Sequence, residues 1–410
     1  MADQSSVSVR AAAGLGLASL AAAMGIGRFA FTPILPLMQE ALGVTLGQGA
    51  WLATANYVGY LLGALASFVL PPRAGVSAKW GLLAVALSTL AMAFTSSLPV
   101  WLFLRLVAGI ASAFVLVGAS AWALAHLAAS RRAELAGWVF AGVGVGICVA
   151  GCVALFASTS GGKPEHAWAA LGAGALAVVV AAWRRLSAAA PASDVRDSRA
   201  AQPLDRSAWL LVVCYGAFGF GYILPATFIP AAARSLFNDP LVFGWAWPLF
   251  GVAAAVSTVL VTTIFRSSPP RRTAAVSLLV MAAGVAAPLV HASLRSLAIS
   301  AVCVGGTFMV MTMAGVQEAR RIAGGEPTKL IAALTAAFAV GQLAGPVVVR
   351  LRLSERDPFT LPSAVAVALL LGSAVALLLT EEERSRVDDA RPPAAALARG
   401  HDRSPASGRE

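Results

Sequence analysis

Twelve apolar stretches, each close to the length needed to cross a hydrocarbon layer of roughly 30 Å, occupy most of this chain. They run over 11–37, 50–70, 80–97, 100–127, 136–158, 168–186, 208–233, 243–265, 273–291, 296–318, 329–349 and 361–380. Only 12% of the 410 residues are charged, and 59% are hydrophobic. Soluble domains carry about 25% charged residues, so a soluble fold is excluded. The reading is an all-α polytopic membrane protein.

A net charge of +11 suggests nucleic-acid binding until the charges are placed. If the N-terminus is cytoplasmic, 22 of the 30 Lys and Arg fall in segments on that side. Six fall in the opposite loops, and Arg28 and Arg105, inside spans and away from their cytoplasmic ends, complete the 30. That asymmetry is the positive-inside rule, with both termini cytoplasmic, and it removes the case for a nucleic-acid partner. Ala21-Ala22-Ala23 mimics a leader cleavage site, but cutting there would break the parity of the charge pattern, so an uncleaved first helix is expected. Cys148, Cys152, Cys214 and Cys303 all fall within spans. Thiols in lipid-buried helices act as small apolar side chains, so no disulfide, metal site or cofactor is expected.

The chain repeats itself. A shift of 194 residues carries Gly25 onto Gly219, Gly27 onto Gly221, Pro36 onto Pro230 and Trp51 onto Trp245, and it carries Arg28 onto Tyr222. Six spans precede a polar segment and six follow it, so both halves enter the membrane in the same sense. The divisions are an N-terminal bundle, 1–186; a cytoplasmic linker, 187–207; a C-terminal bundle, 208–380; and a disordered cytoplasmic tail, 381–410.

Arg28 sits about 18 residues into the first span, which at 1.5 Å per residue puts it near the bilayer centre. A charge there costs at least ~2.5–3.5 kcal/mol unless it faces protein or water. It either holds backbone carbonyls freed near Pro33 and Pro36 or attracts an anionic group on a substrate. Tyr222 occupies the equivalent place in the second half, and Tyr215, seven residues earlier, shares its helix face. Tyr57 and Tyr60 fit a headgroup belt or the site. Asn56 suits interhelical packing or substrate binding, and Gln342 is a further candidate. Arg105 is placed a few residues inside the outer edge of its span, within reach of interfacial water, for a structural or a coupling role. Glu318 is expected to pair with Arg320 and Arg321. No Asp or Glu falls in the central part of any span, so proton coupling has no obvious side-chain carrier.

Several strings carry a family resemblance: GIGRFAFTPILPLM at 25–38, WLATANYVGYLLGAL at 51–65, RLVAGIASAFVLVGAS at 105–120, AWPLFG at 246–251 and FAVGQLAGP at 338–346. Together they resemble the YbfB/YjiJ-type bacterial transporters of the major facilitator superfamily. The resemblance implies twelve transmembrane helices in two parallel six-helix bundles. It also implies a central cavity lined by the first and seventh helices, and seams between helices two and eleven and between five and eight. The pairs Gly59/Gly63, Gly142/Gly146 and Gly341/Gly345, with Pro346, permit close helix approach, either at those seams, where the halves rock, or in ordinary tight packing. Arg105 matches a fourth-helix arginine that serves proton coupling in some antiporters. The turn after the second span lacks the superfamily's acid, and 142–151 lacks the proline of drug antiporters.

The implied function is secondary active transport of a small, favourably anionic, organic or inorganic solute across the inner membrane. The protein would be a monomer, possessing no cofactor and engaging a coupling ion such as a proton. The alternative within transport is a drug or metabolite exporter with Arg28 structural. An intramembrane enzyme lacks any supporting motif: there is no Gly-x-Ser-x-Gly and no His-Glu-x-x-His.

Overall fold

The computed structural model describes residues 8–69, 73–186, 205–236, 244–322, 327–351 and 360–390. Most of the linker (187–204) and the tail beyond 390 lie outside the described residues. Among the described residues every regular element is a helix. The first span is composite: Val9–Leu20, a π-helical turn Ala21–Ile26, and Phe31–Leu42. The second to sixth are Leu46–Val69, Ala74–Ala91, Leu98–Ala129, Ala136–Thr159 and Pro164–Ala182. The seventh to twelfth are Arg206–Leu236, Ala246–Thr263, Pro270–Val290, Leu294–Ile322, Pro327–Leu351 and Thr360–Ala390. Among the described residues ten helices are long and apolar enough to cross a membrane. Leu46–Val69 and Pro327–Leu351 complete the twelve. The last helix continues through Ala390.

Packing follows the duplication. The second and third spans pack on the fourth, the third on the sixth and the first on the fifth. In the second half the eighth and ninth pack on the tenth, the ninth on the twelfth and the seventh on the eleventh. The two six-helix bundles meet mainly where the fifth span lies along the eighth and the second along the eleventh. Trp51 and Trp245, equivalent by the repeat, are both about half exposed on the outside of the structure.

The seam is built from glycines outside those three pairs. A side chain on Gly59 or Gly63 would strike Leu106 or Ile110 of the fourth span. On Gly142 or Gly146 it would strike Leu17 or Ala21 of the first, and on Gly341 or Gly345, Gly216 or Ile223 of the seventh. All six therefore tighten contacts inside a bundle, which fits ordinary packing and not a place at the seam. The side chain of Pro346 lies outside the described residues. At the seam stand Gly137, Gly144 and Gly151, against Thr262, Ala255 and Pro248 of the eighth span. Seven residues make two helical turns, so these three form one stripe, while Gly142 lies about 200° around the helix from Gly144.

One end of the C-terminal bundle is tied by buried charge. Arg271 opens the ninth span with its Nε 3.1 Å from Glu318 Oε1, and both residues are essentially inaccessible, at 1% and 0% exposure. Arg271 also donates to Thr380 Oγ1 (3.0 Å) and Ser207 Oγ (2.6 Å). Arg321 holds the same carboxylate through Nε (2.8 Å) and Nη2 (3.1 Å). Glu318 therefore pairs with Arg321, as the sequence suggested, and with Arg271 from another helix, which the sequence did not indicate.

Candidate functional site

The site begins with a break in the first span. Within Ala21–Ile26 the ladder widens: the N–H of Gly27 reaches back five residues to Ala22 O (2.9 Å) and that of Phe29 to Met24 O (3.1 Å). Pro33 and Pro36 then remove two backbone donors. The N–H of Thr32, which in a regular helix would serve Arg28 O, turns instead to Phe29 O at 3.3 Å. The carbonyls of Gly27 and Arg28 thus leave the ladder, and in lipid such groups need partners.

Arg105 supplies them. Its Nη1 donates to Gly27 O (2.9 Å) and its Nη2 to Arg28 O (3.0 Å), with the guanidinium carbon 5.0 Å from the Phe31 ring. Seven residues on, and so on the same helix face, Ser112 Oγ donates to Ala23 O at 2.8 Å. The fourth span thereby braces the broken first one. Arg105 is 3% exposed, so the expected contact with interfacial water is corrected: it reaches inward to backbone. Asn56 Nδ2 joins the brace by donating to Arg105 O at 3.0 Å. On the other side, Gly25 and Gly146 meet backbone to backbone, an approach that any side chain at either position would block.

With the carbonyls held by Arg105, the Arg28 side chain points to the second bundle. Its Nη2 donates to Gln342 Oε1 on the eleventh span. The guanidinium carbon lies 3.6 Å from the centre of the Tyr60 ring, with Phe29, Tyr57 and Phe338 between 5.4 and 5.9 Å. Its Nε and Nη1, carrying three of the five N–H donors, have no protein partner, although Arg28 is only 2% exposed. Gln342 Nε2 is likewise without one. Among the described residues no carboxylate forms an ion pair with Arg28.

Tyr222 closes the opposite wall. It stacks on Phe308 (5.2 Å between centroids, 12°) and Phe338 (5.7 Å, 22°), and Phe29 meets it edge-on at 6.4 Å. Its hydroxyl lies beside the Gln342 side chain. Tyr215 stands further out: its hydroxyl donates to Thr312 O (3.2 Å) and its ring packs on Phe218 and Phe338. The structure thus gathers Arg28, Tyr60, Tyr222 and Gln342 into one cluster. It leaves Asn56 and Tyr215 in supporting positions and Arg105 behind the broken helix. The phenylalanines were missed by sequence reasoning, because an apolar ring in an apolar span gives no signal of its own. A groove of about 690 Å³ lined by Arg73, Trp80, Ile110 and Phe114, among others, shares no residue with the cluster.

A charged, ring-lined cluster enclosed between two duplicated helical bundles defines a membrane carrier. Over residues 20–379 the chain matches the family model described as "Uncharacterised MFS-type transporter YbfB", and it belongs to that family. It is therefore a secondary transporter of a small molecule, not an enzyme. Comparison with curated proteins found no match.

Proposed function

We propose that the protein moves an anionic solute across the inner membrane by alternating access, with Arg28 engaging the anion. One observation carries this reading. Arg28 is a buried guanidinium between the bundles, with two nitrogens lacking a protein partner and no carboxylate paired to it among the described residues. An uncompensated buried cation is costly, and an incoming anion supplies the charge and the acceptors together. Gln342 holds Arg28 across the seam, so parting of the bundles breaks this bond and frees the guanidinium for a ligand. Both termini and the 187–207 linker are cytoplasmic in this reading, on the strength of the basic-residue asymmetry.

The test is thermal stabilisation of the purified protein by a panel of organic and inorganic anions, beside Arg28→Ala and Arg28→Lys. Lysine keeps the attraction but loses the planar fork, so partial binding is expected in Lys and loss in Ala. A second reading, an exporter in which Arg28 is structural, draws on the Gln342 and Tyr60 contacts. It wins if Arg28→Ala lowers the melting temperature while transport per folded molecule stays normal.

A further inference from the structure

The anion reading leaves the body of the substrate open, and the shape of the donor set narrows it. In the Arg28–Gln342 pair the polar atoms that make no hydrogen bond are all donors: Arg28 Nε and Nη1, and Gln342 Nε2. These donors belong to two side chains that are bonded to each other. The remaining wall is ring surface, formed by Phe29, Tyr60, Tyr222, Phe308 and Phe338. An isotropic oxyanion such as phosphate or sulfate carries charged oxygens in all directions. Those beyond the reach of the Arg28 and Gln342 donors would face rings, where an unmet charged acceptor is expensive. A carboxylate keeps both oxygens at one end, as a guanidinium fork requires.

The walls favour the same geometry. When the bundles part, Tyr222 and Phe308 lose the edge of Phe29 from the other bundle, and an apolar body restores that contact. Tyr60 lies over one face of the guanidinium and screens it from water.

We propose that the Arg28 site selects monocarboxylates with an aromatic or otherwise apolar body, and that it discriminates against compact inorganic oxyanions. The proposal rests on the anion reading above, and its failure can be told apart from the failure of that reading.

The experiment uses the full-length protein in lipid nanodiscs, with binding measured by calorimetry. The probes are benzoate, phenylacetate, acetate, phosphate, sulfate and the neutral benzamide. Benzoate or phenylacetate should bind at least about tenfold tighter than acetate, since burying one ring face is worth that factor or more. Phosphate and sulfate should bind more weakly still. Benzamide should lose about tenfold or more against benzoate, and Arg28→Gln should remove that difference. Phe338→Leu should weaken benzoate more than acetate and so narrow the gap between them, a differential that mere loss of folding does not produce. If phosphate or sulfate binds as tightly as benzoate in an Arg28-dependent way, this inference is overturned and the anion reading stands. If benzamide matches benzoate and Arg28→Gln changes neither, both are overturned. If neither aryl carboxylate binds, the inference is also overturned, and the wider anion panel decides the rest.

Discussion

Arg28 and Arg271 are buried to nearly the same depth, one in each bundle, yet their surroundings are opposite. Arg271 meets the Glu318 carboxylate and two hydroxyls, from Ser207 and Thr380, at the meeting point of the seventh, ninth, tenth and twelfth spans. Arg28 meets one neutral amide and a set of rings. The first arrangement neutralises a charge and fixes four helix ends. The second shelters a charge without neutralising it. On the proposed anion reading, what sets Arg28 apart is the missing counter-charge and not its burial. Arg105 stands between the two, with no carboxylate paired to it among the described residues, but two of its nitrogens are committed to the carbonyls of Gly27 and Arg28.

The contrast predicts a graded set of mutational effects. Glu318→Ala strands Arg271 and removes the partner of Arg321, and breaking a buried pair costs about 3–5 kcal/mol. A large fall in the thermal midpoint is expected, and Arg271→Met in the same background should recover part of it. If Glu318→Ala is as stable as the wild type, Arg271 is not neutralised by Glu318 and the comparison breaks. Arg105→Leu comes next. It strips two carbonyls of their donors, at about 1–3 kcal/mol for an unmet buried acceptor, and lets the first span shift. Its effect should appear both in the midpoint and in ligand binding, because it positions Arg28 without touching the ligand.

Arg28→Gln should behave in the opposite way to Glu318→Ala. It removes a buried charge that lacks a counter-charge, so the midpoint should hold or rise while anion binding is lost. A midpoint that falls as far as that of Glu318→Ala would place the two arginines in one class. The smallest effect is expected for Tyr222→Phe, which deletes a single hydroxyl beside Gln342 and keeps the ring stack. Binding should weaken by about 0.5–1.5 kcal/mol, the value of one ordinary hydrogen bond, with an unchanged midpoint. An unchanged affinity would reduce Tyr222 to a wall of the site.

Much of this architecture is legible in the sequence. Apolar runs of bilayer length, their even number in each half and the sidedness of Lys and Arg are properties of single segments, and hydrophobic transfer acts on segments. Arg28 was legible for the same reason: a charge inside a span is costly wherever the helix turns. Its pairing by repeat with Tyr222 needed only the shift of 194 residues. What the sequence could not decide was which face of each helix meets which neighbour. Gly142/Gly146 and Gly137/Gly144/Gly151 are equally good small-residue rows on one helix, and only the packed bundles show which row lies along the eighth span. Arg105 and Arg28 are both arginines in apolar spans, and only the fold gives one the backbone of a broken helix and the other a ring-lined site. Local free energies of transfer selected the helices, whereas long-range pairing, such as Arg28 with Gln342 across 314 residues, exists only once the bundles are assembled.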